Sequence, residues 1–427
     1  MKHTLCLKIA DNMEEAAFTA ALVKLSGYKR KDGSVKQNSM IIGNSRALLR
    51  YRRTRFLPLK KTDKVLLATI EGVAFCNNKL LPIREIHLKY AHSELVQAQR
   101  LAEQIVEHFD AVLAEPDLQS RFEQGLGIYD FRTLLGYDAQ KMTNILRYHL
   151  PWQLYLINSA WQQVLLKPTD KTALRQLRVK IRRFRSCLSF FKPVFKKAEI
   201  AVWQESFNAD SELLGVLREA DVALMACERI RAQAQAAEDT GLDVLQGLFE
   251  RERTAAEQKL LAERTLTGVT KKLLAFQIWL QNQPLNVEYV NKNFVNFAQS
   301  RLDDWSTKLA ARSAATEAGA SMHELHILRI RIKRLRYAWQ CLPELPLKLE
   351  LLRKMKRLQD LLGFLHDDYI NNDLLSRFVE NEPDNKRLRY ETGVFTGWER
   401  ARAEASLSIL PELWADFCET LALQRRK

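Results

Sequence analysis

Leu174-Arg175-Gln176-Leu177-Arg178-Val179-Lys180-Ile181-Arg182-Arg183-Phe184-Arg185 returns 151 residues later as Leu325-His326-Ile327-Leu328-Arg329-Ile330-Arg331-Ile332-Lys333-Arg334-Leu335-Arg336, with six of the twelve positions identical. In each copy the apolar residues recur at intervals of three and four, the period of a helix with one buried face. A second similarity follows each copy in the same order, Leu214-Gly215-Val216-Leu217-Arg218-Glu219 and Leu362-Gly363-Phe364-Leu365-His366-Asp367. Two similarities in one order mark an internal duplication, so the region is read as a duplicated helical bundle.

Outward from these segments, helical spacing runs from Phe131 to the end, with Pro151, Pro193, Gly215 and Gly363 expected at helix ends or contacts. The first 113 residues differ. Thr4 to Ile9, Ala47 to Arg53, Val65 to Ile70 and Ile83 to Tyr90 are short, partly alternating runs that read as strands. Asn12 to Leu25 and Ser93 to Phe109 have helical spacing, which makes this part α+β. Pro116, Gly125 and Gly127 break the periodicity between the two parts. The expected organisation is therefore an α+β domain over 1–113, a linker over 114–130 and a helical domain over 131–427, its halves at about 131–255 and 256–427.

The chain carries 66 Lys and Arg against 51 Asp and Glu, a net charge of +15 that predicts attraction to a polyanion or an anionic surface. At 100° per residue, Arg175, Arg178, Arg182 and Arg185 share a stripe about 80° wide beside the apolar Leu174, Leu177, Ile181, Phe184 and Leu188. His326, Arg329, Lys333 and Arg336 repeat it. Residues 171–197 hold ten Lys or Arg and no acid, so cations at i,i+3 and i,i+4 repel without relief. Two readings follow. Acids on other helices, such as Glu212, Glu219, Asp360, Asp367 and Asp368, balance the stripes in an interhelical network, or a bound polyanion does. Arg at most stripe positions suits bidentate contact with phosphate oxygens. Single-stranded nucleic acid asks for exposed aromatic platforms among the cations, whereas Phe184, Phe190, Phe191 and Trp339 follow the apolar side.

No apolar run approaches the ~20 residues that span a bilayer, and the start Met1-Lys2-His3-Thr4-Leu5-Cys6 lacks a signal peptide's apolar stretch, so the expected location is cytoplasmic. Six scattered cysteines form no zinc-like or redox pair and are read as idle or buried thiols. Gly-rich phosphate loops, a nucleophile elbow and a His-Glu-x-x-His motif are absent from the sequence.

The repeated helix resembles the hallmark of the CHAD family (conserved histidine α-helical domain), His, Leu, Arg, then Arg-Arg-x-Arg. Leu358-Gln359-Asp360-Leu361-Leu362-Gly363-Phe364-Leu365-His366-Asp367 is similar to the family's later Leu-Gln-x-x-Leu-Gly-x-x-His-Asp element. The resemblance covers about 131–427 and implies a mainly α fold of two antiparallel four-helix halves. It implies inorganic polyphosphate, and granules of it, as the partner. The implied ligands are Arg178, Arg182, Arg183, Arg185, Arg329, Lys333, Arg334 and Arg336, with Lys356 as a neighbour. Arg175 and His326 stand at the two namesake histidine positions, and His326 and His366 are equally readable as anion contacts or as structural histidines. In the first copy Arg175 replaces histidine and Glu219 replaces the family's aspartate.

The N-terminal part resembles a shortened, degenerate CYTH triphosphatase-like domain. Ser45-Arg46-Ala47-Leu48-Leu49-Arg50-Tyr51-Arg52-Arg53, then Leu66 to Glu71, are similar to its basic strands, Ile83 to Lys89 to its later strand and Ser120 to Gly125 to its junction. That family opens on Glu-x-Glu-x-Lys, whose carboxylates hold a divalent metal; here the stretch is Thr4-Leu5-Cys6-Leu7-Lys8. Lys8, Arg50 and Arg52 keep cations for phosphate, or are simply outward-facing strand residues. The resulting expectation is a non-enzymatic polyphosphate binder without metal or cofactor. Its rivals are a nucleic-acid binder using the same stripes and a residual metal-dependent triphosphate hydrolase in the N-terminal domain.

Overall fold

The computed structural model describes the chain apart from residues 1, 10–12, 43–44, 60–63, 77–78, 115–141, 234–240, 283–284, 291, 312–320, 341–347 and 427. It is mainly helical, with a small N-terminal antiparallel sheet domain, the class the sequence indicates. Two compact units divide it: Met1–Ala173 with Arg264–Phe294, and Leu174–Glu263 with Val295–Lys427.

The first unit holds strands β1 (Lys2–Lys8), β2 (Tyr28–Ile42), β3 (Ser45–Pro58), β4 (Leu66–Cys76), β5 (Lys79–Ala91) and β6 (Val112–Leu113). Their order is β2-β3-β4-β5-β1-β6, with every neighbouring pair antiparallel. Helices α1 (Glu15–Ser26) and α2 (Leu95–Phe109) pack against it. Leu5, Leu7, Ile86 and Leu88 share a sheet face by register and are fully buried, as are Phe18 and Leu22 of α1 and Ala98, Ala102 and Ile105 of α2. Gly27 ends α1 in the left-handed conformation at φ 66°, its N–H bonded to the Val23 carbonyl. Strand β2 is absent from the sequence reading. It is a largely polar strand at the edge of the order among the described residues, without the apolar alternation that marks a strand in sequence.

Helices α3 (Met142–Leu166), α7 (Leu266–Asn282) and the short α8 (Val287–Val290) belong to the same unit. The fully buried Asn158 of α3 joins them to the sheet, accepting from the Leu113 N–H at 2.7 Å and donating to Thr270 Oγ1 of α7 at 3.0 Å. The compact units thus cut across chain order. Of the expected linker, only Ala114 lies within the described residues. It is buried, with its N–H bonded to the Cys6 carbonyl.

The second unit contains α4 (Lys171–Phe191, from Leu174), α5 (Lys197–Gln233), α6 (Asp243–Glu263), α9 (Phe294–Ala310, from Val295), α10 (Met322–Gln340), α11 (Lys348–Asn381), α12 (Lys386–Ser408) and α13 (Leu410–Arg426). Its core joins Cys227 and Ile230 of α5, Leu245 and Phe249 of α6, Leu375 and Phe378 of α11, and Leu388 and Phe395 of α12. Glu391 of α12 is fully buried and accepts from the Leu245 N–H at 2.9 Å, satisfying an orphan donor in the first turn of α6 from another helix. Two punctuation expectations change. Pro151 lies inside α3, and Gly215 and Gly363 lie inside α5 and α11, where a Cβ on Gly363 would meet no described atom within 4 Å. Pro193 does fall just past the end of α4, in a short 3₁₀ turn. The expected division of the halves at 255/256 falls within α6.

Candidate polyanion site

Both copies of the repeated segment are helices, and each has a defined start. Asp170 Oδ1 accepts from the N–H groups of Thr172 at 2.8 Å and Ala173 at 3.1 Å ahead of α4. Ahead of α10, Ser321 Oγ accepts from the Glu324 N–H while Glu324 Oε2 accepts from the Ser321 N–H, a capping box written in the sequence as Ser-x-x-Glu. The apolar stripes are core. Leu174, Leu177, Ile181 and Phe184 of α4, and Leu325, Leu328, Ile332 and Leu335 of α10, are at most 3% exposed. Phe184 meets Phe207 of α5 edge-on at 4.8 Å.

The cations beside those stripes take different positions. Arg175 is exposed, and Arg178, Arg182, Arg183 and Arg185 are half-buried. On α10, Arg334 is exposed, whereas His326, Arg329 and Arg336 are half-buried. Lys333 departs from the expectation of an open stripe: it is only 9% exposed. Periodicity aligns it with Arg182, but the packing around α10 covers it. Arg336 donates to Gln359 Oε1 of α11 at 2.7 Å and so ties two helices together. Lys356 pairs at 2.6 Å with Asp360 one turn along the same helix, on exposed surface, which balances its charge locally. His366 lies on α11, its side chain outside the described residues.

Three groups in these helices show how crowded the positive charge is. The Arg185 guanidinium is held below the usual arginine range by burial first, then by repulsion from Arg334 of α10 and Arg182 of α4; Glu212 and Glu205 offset only part of this. The two repeated helices therefore bring cations within electrostatic range of each other. Burial and Arg183 lower the Lys180 ammonium. His326 is lowered by burial, then by Arg329, Lys333 and His323. Lys180 is absent from the sequence-derived candidates because it lies off the stripe; its neighbour Arg183 carries a buried Nε without a hydrogen-bond partner.

Of the carboxylates expected to neutralise the stripes, Asp360 pairs with Lys356 on its own helix, and the side chains of Asp367 and Asp368 lie outside the described residues. Among the described residues, no carboxylate lies within ion-pair distance of Arg182, Arg183, Arg185 or Arg334, and Glu212 reaches Arg185 only through the longer-range field. Interhelical ion pairs instead join α5 to α6 through Asp221 and Arg253 at 2.9 Å, and α5 to α12 through Arg229 and Glu399 at 2.6 Å. The aromatics on the repeated helices are interior: Phe184, Phe190, Phe191, Tyr337 and Trp339 are at most 3% exposed, while Trp305 beside Phe190 is half-buried.

The N-terminal cations do not form one group. Lys8 pairs with Glu85 in register and shares a sheet face with it, whereas Arg52 pairs with Glu71, and Glu71 with Arg84, on the other face. Arg50, two residues from Arg52, lies on the Arg52 face. Lys8 thus cannot join Arg50 and Arg52 around one phosphate.

Fold and site together define a mainly helical protein with a duplicated, cation-crowded helix. The chain belongs to the CHAD-domain family, whose model matches residues 157–376, just over half of it. Among solved structures it is similar to the CHAD domain from the plant Ricinus communis, at 21% identity and a TM-score of 0.49, over 63% of this chain and 92% of that one. It is also similar to PptA from Streptomyces chartreusis, at 17% identity and a TM-score of 0.49, over 64% of this chain and 99% of that one. No curated protein matches.

Proposed function

We propose that this protein binds inorganic polyphosphate, without catalysis, through the arginines of α4 and α10. One observation carries the reading: the half-buried Arg185 lies in the field of Arg334 from the other repeated helix and of Arg182 from its own, and no carboxylate among the described residues is within ion-pair distance of any of the three. Like charges held together without counter-charge cost free energy, and an anionic ligand removes that cost. Guanidinium groups present paired N–H donors that match phosphate oxygens.

Phosphate alone is favoured over nucleic acid because the aromatic rings of α4 and α10 are buried and offer no platform for bases. The N-terminal domain is read as a decayed triphosphatase-like sheet that has lost the opening carboxylates and does not turn over phosphate. Among the described residues no helix is long and apolar enough to cross a membrane, which suits a cytoplasmic binder.

The test is competition at constant ionic strength, since salt dependence is common to all linear polyanions. Long-chain polyphosphate should displace labelled single-stranded DNA and RNA. Preferential retention of nucleic acid would favour the rival reading.

A further inference from the structure

The outer half of the N-terminal sheet carries a second charged cleft, built separately from the repeated helices. It has a volume of about 380 Å³, and its lining includes Glu15, Arg50, Arg52, Glu71 and Arg84, with Val35, Val73 and Pro82 as apolar wall. Register explains the grouping. Arg52 stands opposite Val35 and Glu71, Arg50 opposite Val73, Glu71 opposite Arg84, and Val73 opposite Pro82, which puts these residues on one face. It is the face against which α1 packs, since Arg84 lies 5.5 Å over the Phe18 ring and donates to the Met13 carbonyl. Gly72 lets β4 approach closely beside Arg50: a Cβ there would sit 2.1 Å from the Arg50 carbonyl oxygen. Lys8, Cys6 and Thr4 point to the opposite face, so this cleft is distinct from the place where the resembling triphosphatase domain holds its metal.

The charges in the cleft are present but poorly satisfied. Glu15 lies 3.5 Å from Arg30 and 3.6 Å from Arg52, and Glu71 lies 3.8 Å from Arg84. All three distances exceed a direct N–H···O hydrogen bond. Arg50 is exposed, with no charged partner among the described residues. Glu71 Oε1 is buried with no hydrogen-bond partner, and its carboxyl is raised by burial and then by Glu15. Three lining arginines, with Arg30 beside Glu15, thus face two carboxylates, one of which has a buried oxygen without a donor.

We propose that this cleft binds a small hydroxylated organic anion. Its phosphate or carboxylate group would take the place of the Glu15 carboxylate at Arg52 and reach Arg50. A hydroxyl on the same molecule would donate to the part-exposed Glu71 carboxylate, and its carbon skeleton would lie on Val35, Val73 and Pro82. The volume is in the range of small-molecule pockets. Inorganic polyphosphate has no donor for Glu71 and no carbon skeleton for the apolar wall, so the two sites select different chemistry.

The test is calorimetric titration of the full chain with ribose 5-phosphate and with citrate, which separate phosphate from carboxylate as the anionic group, and with inorganic phosphate as the probe lacking a skeleton. At least one of the organic anions should bind about tenfold or more tighter than inorganic phosphate, and the Arg50→Ala/Arg52→Ala double variant should lose about tenfold or more, as charge-assisted contacts predict. Both arginines are exposed, so circular dichroism should show an intact fold. Glu15→Gln should strengthen binding, because it removes the internal competitor; a merely structural ion pair gives no such gain. Arg182→Glu should leave this binding unchanged. The proposal is overturned if neither organic anion outbinds inorganic phosphate, if the double variant binds as the wild type does, or if Glu15→Gln brings no gain.

Discussion

His326 shows how a single group would report on the anion proposed for α4 and α10. Burial and the neighbouring cations Arg329, Lys333 and His323 hold its imidazole below the ordinary value of 6.5, which keeps it neutral in the free protein at neutral pH. The sign of the linkage follows. The unfolded chain takes up a proton at a pH where the folded chain does not, so His326 costs stability as the pH falls below about 6.5. A bound polyanion reverses the local field and favours the imidazolium. Polyphosphate affinity should therefore rise as the pH is lowered from about 7.5 to about 6, with proton uptake on binding, and His326→Asn should flatten the rise. Calorimetry in two buffers of different ionisation enthalpy measures that uptake. Lys333 teaches the complementary lesson: its place on the stripe is legible from 100° spacing, but its burial depends on neighbours distant in sequence. Charge reversal at Lys333 would threaten the fold, whereas at the exposed Arg334 it is a surface change.

Among the elements, the repeated helices were the most legible, because Leu174, Leu177, Ile181 and Phe184 and their counterparts 151 residues on all prove to be buried. The capping box at Ser321 and Glu324 is absent from the sequence reading, although its residue types fit the Ser-x-x-Glu pattern. Two further features were not legible. Strand β2 has a polar sequence without alternation, and the proximity of Arg185 to Arg334 is a tertiary fact no spacing encodes. Asn158 is likewise invisible in sequence, yet it satisfies groups on β6 and α7 together. Asn158→Ala leaves the buried Leu113 N–H without its acceptor and should cost about 1–3 kcal/mol, read as a lower urea midpoint. Asp170→Ala removes the acceptor for two N–H groups at the start of α4 and should cost about 0.5–2 kcal/mol by the same measurement.

At the scale of the whole molecule, the excess of positive charge is distributed unequally in its consequences. Pairs such as Arg253 with Asp221 and Arg229 with Glu399 hold helices together, while no described carboxylate is within ion-pair distance of Arg182, Arg185 or Arg334, and Glu212 and Glu205 offset only part of the field at Arg185. The account centres polyphosphate binding on the second group. Its most direct test is a binding titration of long-chain polyphosphate at fixed ionic strength, comparing the wild type with the Arg182→Glu/Arg334→Glu double variant, whose helicity is checked by circular dichroism. Each reversal removes a charge-assisted contact of about 1.5–3 kcal/mol and adds repulsion, so affinity should fall about a hundredfold or more with the helices intact. A well-folded double variant that binds polyphosphate as tightly as the wild type would contradict the account.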